Sequence, residues 1–226
     1  MANLISEESL NEFKTSYCDE NEIIPVILKE KVAKYFVSPI LDVGSGLGEI
    51  SARAIPEKNV IHLDPIDCSE HPIPSAHTRV VGDFFTYTPA EPVNTVFMSH
   101  VLQYLDDDVS RLNTTLSKLS PKHLITITNK NQDFLGALLV WFKQTFPTAN
   151  PEVILPDFPA GYSQIDIFPF TAHLVCPTFP VLAKQIFYLF EIENTDANNA
   201  RLTEFLEQNL TSPAFTIDQN ITVYSK

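Results

Sequence analysis

The 226-residue chain has few of the residues that build covalent or metal-linked frameworks. It contains three cysteines, at positions 18, 68 and 176, and no C-x-x-C pair. Widely spaced single cysteines are typical of reduced thiols, and not of a disulfide network or a zinc site. The sequence therefore predicts no metal site and a reducing, cytoplasmic location.

Positive charge is also scarce. Lys and Arg total 15 against 28 Asp and Glu, which gives a formal net charge of −13. Such a surface repels phosphate backbones, and no basic run offsets the repulsion. We therefore expect no nucleic-acid partner.

Long apolar runs are missing as well. The longest, Phe134 to Phe142, is about half as long as a membrane-spanning helix requires. Residues 1–13 hold three glutamates and lack the apolar core of a secretory signal. We expect a chain that does not enter a membrane and, from its length, forms one domain.

Glycine is rare, yet three of the six glycines fall within five residues, at positions 44, 46 and 48. The apolar stretch before them, Val37–Val43, predicts a buried strand that carries Asp42, and a helix with apolar periodicity follows. A side chain at any of these glycines would hold a ligand away from the backbone. This segment therefore predicts a ligand site at a strand–loop–helix corner.

A second strand, predicted over residues 59–63, ends in Asp64. In a parallel sheet this acid reaches the neighbouring strand end, where it can accept hydrogen bonds from a ribose. A dinucleotide loop would need glycine at position 49, but the chain has Glu49, whose charge opposes a diphosphate. The Gly-Lys-Ser/Thr of a P-loop is absent too, which leaves a nucleoside ligand without phosphates.

The run Asp42-x-Gly44-x-Gly46-x-Gly48, with Asp64 and Asp83 downstream, resembles the class I S-adenosylmethionine-dependent methyltransferases. The resemblance covers roughly residues 20–130. It implies S-adenosylmethionine as the cofactor and S-adenosylhomocysteine as the product. It also implies an α/β fold: a Rossmann-like, seven-stranded, mostly parallel sheet with helices on both faces and N-terminal helices. The helical and loop segment before the last strand departs from the family's minimal fold, and we interpret it as a substrate cover.

The resemblance further implies which residues bind the cofactor. Ile66 would face the adenine ring, Asp83 would accept its amino group, and Phe84 would lie beside it. His100, after the fourth strand, is the candidate catalytic base, because an imidazole can accept a proton at neutral pH; the alternative is a role through backbone and shape alone. The predicted cofactor-binding set is Asp42, Gly44, Ser45, Gly46, Gly48, Asp64, Pro65, Ile66, Asp83, Phe84, Ser99 and His100.

Four further residues are candidates for the acceptor site: Tyr17, Tyr104, Lys130 and Tyr162. Tyr17 follows a helix predicted over residues 6–16, Lys130 follows the fifth strand, and Tyr162 ends a proline-rich segment interpreted as a lid. Each also has an ordinary interpretation as a core or surface side chain.

We interpret residues 1–226 as a single methyltransferase domain. Its predicted parts are an N-terminal helical lid (1–36), a cofactor-binding core (37–146), a loop and helical substrate cover (147–215) and a terminal strand (216–226). Within the lid, a helix over residues 24–36 would place Pro25 in its first turn.

The expected activity is methyl transfer to a nitrogen or oxygen of a small-molecule acceptor, mainly by orienting acceptor and methyl group in line. The alternatives are aminopropyl transfer within the same cofactor family and a non-catalytic partner subunit with the cofactor fold. Glu49 disfavours an NAD oxidoreductase. We expect a monomer or a homodimer.

Overall fold

A computed structural model of the protein describes residues 17–102, 105, 109–130, 132–146, 158–189 and 195–226. The predicted helix over residues 6–16, most of the proline-rich segment and Tyr104 lie outside the described residues.

The described residues form seven strands and six α-helices. The strands are β1 (Ile40–Val43), β2 (Val60–Asp64), β3 (His77–Val81), β4 (Thr95–Ser99), β5 (His123–Asn129), β6 (Ser163–Val175) and β7 (Ala214–Ser225). The helices are α1 (Glu20–Ile27), α2 (Glu49–Ala54), α3 (Val109–Leu119), α4 (Asp133–Thr145), α5 (Phe179–Leu189) and α6 (Asp196–Asn209).

The strands form one sheet in the order β3-β2-β1-β4-β5-β7-β6. The first five pair in parallel, and β1 lies between β2 and β4. β7 runs antiparallel to β5, because the Lys226 N–H donates to the Lys122 carbonyl while the Lys130 N–H donates to the Asp218 carbonyl. The predicted Rossmann-like, mostly parallel sheet is confirmed. The strand order reverses between β1 and β4, and open α/β sheets bind ligands at the carboxyl ends of such strands.

All four residues of β1 are buried, as expected for an apolar run in the middle of a parallel sheet.

The helix predicted over residues 24–36 has a different start and a different type along its length. It starts earlier, as α1, and continues as a π-helical turn (Leu28–Val32) and a 3₁₀ turn (Ala33–Tyr35). Pro25 therefore lies inside α1 and not in its first turn, where it removes one backbone hydrogen bond of the helix.

The chain divides into two compact units, each with its own apolar core. The first comprises residues 1–21, 130–151 and 171–219, and its described part packs around residues such as Leu138, Phe142 and Leu202. The second comprises residues 22–129, 152–170 and 220–226, and contains two clusters, one including Ile40 and the other Leu41. The expected single domain with four parts stays a prediction.

Candidate functional site

The chain turns sharply between β1 and α2. Gly44, Gly46 and Gly48 have φ angles of +63°, +53° and +75°, in the left-handed region where side chains are strained. A Cβ at Gly44 would lie 2.2 Å from Val101 Cγ2, and one at Gly48 would lie 2.7 Å from His62 Cε1, but one at Gly46 would meet nothing within 4 Å. Neighbouring side chains thus require glycine at the first and third positions. Only at Gly46 is the space beside the backbone open, so the prediction that a side chain would hold a ligand away applies to this glycine alone.

Asp64, the last residue of β2, holds this glycine corner. Its Oδ2 accepts a hydrogen bond from the Gly46 N–H at 2.8 Å, and its Oδ1 accepts one from the Ile66 N–H at 2.9 Å. Asp64 is half-buried, Pro65 is exposed, and Ile66 is 47% exposed. Each carboxylate oxygen can accept a further hydrogen bond. The corner therefore combines an open backbone, a carboxylate with spare acceptor capacity and an exposed apolar side chain.

Asp42 lies behind the corner. It is 4% exposed, and its Oδ2 accepts a 2.6 Å hydrogen bond from the Ser51 hydroxyl of α2. The same oxygen is 3.2 Å from Nδ1 of His62 on β2. Asp42 thus fastens α2 to the sheet through internal contacts, and direct contact with a ligand stays a prediction for this residue.

Arg79 on β3 holds the corner from a third strand. Its guanidinium donates to the carbonyl of Gly46 at 3.2 Å and to that of Leu47 at 2.6 Å, with a longer contact of 3.4 Å to the His71 carbonyl. The planar fork of donors suits several fixed acceptors at once. Sequence reasoning missed Arg79; its one signal was a basic residue within a short predicted strand of an acidic chain.

We expect Arg79→Met to lower the free energy of unfolding by about 1.5–3 kcal/mol, because it removes charged hydrogen bonds and leaves carbonyls unsatisfied. Equilibrium denaturation would measure the loss. Arg53→Met is the matched control, because Arg53 pairs with Glu22 on the exposed surface at 2.6 Å and such pairs contribute little. Equal losses in the two variants would contradict the clamping role of Arg79.

The end of β4 contributes two predicted residues, Ser99 and His100. The His100 N–H donates to the Ile127 carbonyl at 3.1 Å, and its φ of +51° is unusual for a residue with a side chain. Such backbone strain clusters at functional sites. The next residue, Val101, is the one that packs against Gly44, so the β1 and β4 loops meet at this point.

Two serine hydroxyls at these loops are buried without a hydrogen-bond partner among the described residues. They are the Oγ atoms of Ser45, in the glycine corner, and of Ser99, at the end of β4. A buried hydroxyl left unpaired costs about 1–3 kcal/mol, and native proteins usually satisfy such groups. Each hydroxyl thus lacks a partner among the described residues, and a polar ligand bound at these loops would supply one.

The turn after β3 separates the roles predicted for Asp83 and Phe84. Asp83 is exposed, and its Oδ1 accepts a 2.7 Å hydrogen bond from the Phe85 N–H. Phe84 is 3% exposed and belongs to an apolar cluster with Leu63 and Met98. Because burial leaves it almost no free surface, the prediction that its ring lies beside a ligand base is corrected: Phe84 is a core residue.

No protein-family model matches the sequence, and no curated protein matches it. Solved structures do match. A candidate methyltransferase from Bacillus halodurans has a TM-score of 0.60 at 13% identity, with 83% of this chain and 91% of that chain covered. A SAM-dependent methyltransferase from Archaeoglobus fulgidus has a TM-score of 0.53 at 15% identity, with 92% and 97% covered. The chain therefore has the class I methyltransferase fold. The N-methyltransferase NodS from Bradyrhizobium japonicum, in complex with S-adenosyl-L-homocysteine, shares it with a TM-score of 0.51 at 11% identity and 97% of both chains covered.

Within this methyltransferase fold, most of the predicted cofactor residues follow the carboxyl ends of the parallel strands. Gly46 follows β1, Asp64 ends β2, and Ser99 and His100 mark the end of β4. Across the described residues, no group of three or more His, Cys, Asp or Glu side chains could hold a metal ion. No described helix is long and apolar enough to cross a membrane.

Two of the predicted acceptor residues lie in the first compact unit. Tyr17 is half-buried against that unit's core, and its carbonyl accepts a 2.9 Å hydrogen bond from the Val175 N–H. Lys130 is half-buried, and its backbone N–H donates to Asp218. Their acceptor roles, like that of Tyr104, stay predictions.

The structure places Tyr162 at the opposite end of the parallel strands from the glycine corner. Its hydroxyl donates to the Pro121 carbonyl at 3.0 Å, just before β5 begins, and Lys226 Nζ lies 5.4 Å from its ring centroid. This is the amino end of the parallel strands, whereas the glycine corner is at their carboxyl ends. The prediction that Tyr162 contacts the acceptor is therefore corrected: it ties the start of β6 to β5.

Tyr162→Phe should lower the free energy of unfolding by about 1 kcal/mol through the lost hydrogen bond, while any transferase activity is unchanged. Burial raises the pKa of Tyr162 to about 12, above the value of about 10 in an unfolded chain. The protonated hydroxyl therefore stabilises the fold fully below pH 10, and this contribution is lost as the pH rises to about 12. Denaturation of the wild type and of Tyr162→Phe between about pH 10 and 12 measures how the difference in the free energy of unfolding changes with pH. A loss of transferase activity in Tyr162→Phe would restore Tyr162 to the acceptor site.

Proposed function

We propose that the chain binds S-adenosylmethionine at the glycine corner and transfers its methyl group to a nitrogen or oxygen of a small-molecule acceptor, releasing S-adenosylhomocysteine. The observation that carries the proposal is the open Gly46 backbone held by the Asp64 carboxylate of the neighbouring strand. The shared fold supports it, because one structural neighbour holds S-adenosyl-L-homocysteine and another is described as SAM dependent.

The residues at the corner fit this cofactor. Gly46 leaves room for a ligand beside the backbone, and Asp64 has acceptor capacity left for a ribose diol. The unpartnered hydroxyls of Ser45 and Ser99 would gain partners from a polar ligand. The exposed Ile66 side chain suits an adenine face.

S-adenosylmethionine, when bound, supplies a methyl group that is already electrophilic, so the chain mainly has to orient it. Holding two reacting groups in line is worth about 7–11 kcal/mol of the barrier. His100 is the candidate proton acceptor for a hydroxyl or ammonium acceptor, a contribution of about 10²–10⁴-fold. The net charge of −13 favours a small acceptor over nucleic acid.

Isothermal titration calorimetry with S-adenosylmethionine, S-adenosylhomocysteine and NAD tests the proposal. We expect heat from the first two and none from NAD; heat from NAD alone would refute it. Mass analysis of the products separates methyl from aminopropyl transfer. Absence of cofactor binding would instead favour a non-catalytic partner subunit.

A pair of glycine variants localises the site. Gly46→Val fills the open corner and should abolish binding of S-adenosylhomocysteine. Gly161→Val is the matched control, because Gly161 also has a positive φ (+79°) and open space around its Cβ position, but lies beside Tyr162, away from the corner. Retained binding in Gly46→Val would place the ligand elsewhere.

A further inference from the structure

A long strand forms one edge of the sheet. In the described part of the chain, β6 is the last strand in the sheet order and lies next to β7. Three of its aliphatic side chains are exposed: Ile165 by 47%, Ile167 by 42% and Val175 by 58%. We call the side of β6 that faces away from β7 its outer edge. An edge strand of this length with exposed apolar side chains is a template for pairing with another chain.

Hydrogen bonds near the end of β6 show which residues direct their backbone groups to the outer edge. The Cys176 N–H donates towards β7, to the Pro213 carbonyl at 2.9 Å, whereas the Val175 N–H donates to the Tyr17 carbonyl at 2.9 Å. From Ile165 to Val175, no odd-numbered residue is more buried than its even-numbered neighbours. This period of two is that of a strand without a bulge. The odd-numbered residues therefore direct their N–H and C=O groups outward.

Residues 17–19 cover the last part of the outer edge. Cys18 forms an antiparallel β-bridge with Leu174, and the Asp19 N–H donates to the His173 carbonyl at 3.3 Å. The His173 N–H in turn donates to Asp19 Oδ1 at 2.6 Å, and His173 Nδ1 lies 2.8 Å from Asp19 Oδ2. The outward backbone groups at this end of β6 thus have partners within the chain.

Two further residues close the middle of the outer edge. Pro169 stands at an outward position and has no N–H; edge strands accept proline at such positions. The Ile167 N–H, at the outward position before it, donates to Asp166 Oδ1 at 3.0 Å. Asp166 Oδ2 accepts a 2.9 Å hydrogen bond from the Tyr35 hydroxyl, which holds the carboxylate in place. Two consecutive outward positions therefore offer no N–H to an incoming strand.

With this closure removed, β6 would suit a second copy of the chain. In a two-fold antiparallel pair centred on Phe168, Ile165 lies opposite Thr171 and Ile167 lies opposite Pro169. None of these outward residues is charged, although the chain has a net charge of −13. Two copies would therefore meet at these positions without repulsion between the outward side chains. The pairs nearest the two-fold axis are the ones that Pro169 and the Asp166 carboxylate block.

We propose that β6 is a closed self-association strand, in which Pro169, Asp166 and residues 17–19 prevent two copies of the chain from pairing through the outer edge. The exposed Ile165 and Ile167 side chains are tolerated because the backbone beside them is closed. Closure of this edge does not depend on any ligand at the glycine corner.

Sedimentation velocity over a wide range of protein concentration, without ligand, tests the closure. Pro169→Thr restores an outward N–H in a residue type that favours strands, and Asp166→Ala frees the Ile167 N–H. We expect no association of the wild type through β6 and a concentration-dependent dimer of the double variant. The matched control combines Pro72→Thr with Tyr35→Phe. Pro72 is exposed outside the strands, and Tyr35→Phe breaks the same hydrogen bond to Asp166 but leaves the Ile167 N–H bound, so the control should sediment as the wild type does.

Hydrogen exchange and an added charge locate the interface. In the double variant, the amides of Ile165 and Thr171 should exchange more slowly at concentrations where the dimer forms. Adding Ile167→Lys at the outer edge should return the double variant to a monomer, because a charged side chain opposes edge pairing. Ile167→Lys alone should leave the sedimentation of the wild type unchanged.

The remaining outcomes decide against the inference. A folded double variant that stays monomeric would mean that Pro169 and Asp166 do not close the edge. A wild-type dimer that dissociates in Ile167→Lys would mean that the edge is open in the native chain. If the double variant does not fold, Pro169→Thr alone takes its place, and sedimentation equal to that of Pro72→Thr would overturn the inference.

Discussion

Gly44→Ala should lower the free energy of unfolding by about 3 kcal/mol. A side chain at φ +63° costs about 1–2 kcal/mol. In addition, the new Cβ would lie 2.2 Å from Val101 Cγ2 and 3.1 Å from Val101 Cβ, and overpacking of this kind costs about 1–3 kcal/mol. Equilibrium denaturation followed by circular dichroism measures the loss.

Two further variants divide this loss into its causes. Gly161→Ala has a similar backbone strain, with φ +79°, and no neighbour within 4 Å, so it should show the strain alone. Adding Val101→Ala to Gly44→Ala removes the clashing methyl group and should make the two changes less than additive. If the losses in free energy of unfolding of Gly44→Ala and Val101→Ala were strictly additive, or if Gly161→Ala lost as much as Gly44→Ala, the contact between the β1 and β4 loops would not contribute to stability.

Asp64→Ala should weaken binding of S-adenosylhomocysteine by ~1–3 kcal/mol, because a charge-assisted hydrogen bond to the ligand is lost. The variant also removes the acceptor that fixes the Gly46 and Ile66 N–H groups. Calorimetric titration gives the change in dissociation constant.

Asp67→Ala is the matched control for this experiment. Asp67 lies three residues after Asp64 and is exposed. A hydrogen bond with the Ser69 side chain, and a smaller effect of a hydrogen bond with the Ser69 backbone, lower the pKa of Asp67. We expect the affinity of this variant to equal that of the wild type. An unchanged affinity in Asp64→Ala would remove Asp64 from the cofactor site.

Features that depend on local pattern were predictable from the sequence. The glycine corner follows the first strand, and Asp64 ends the second, as expected. In each case a few adjacent residues determine the outcome: glycine where φ is positive, and an apolar run where both faces of the sheet are covered.

Features that depend on contacts between distant elements were not predictable. The clamp from Arg79 requires that β3 lie beside β2 in a particular register, and residue spacing alone does not give a register. The same holds for Phe84, whose burial depends on the packing of Leu63 and Met98 from other strands. Tyr162 was misplaced because a proline-rich segment has no periodicity that indicates which edge of the sheet it reaches.

The apolar cluster on one side of β1 joins residues from opposite ends of the sequence. It contains Ile24 and Ile40 together with Ile221 and Val223 of β7. Contacts between positions so far apart form late and slow the folding reaction, whereas local structure can form while a chain is still being synthesised. Until β7 has been synthesised, the cluster therefore lacks Ile221 and Val223 and leaves part of its apolar surface exposed. Exposed apolar surface of this kind favours aggregation, so the nascent chain is at risk until β7 has formed.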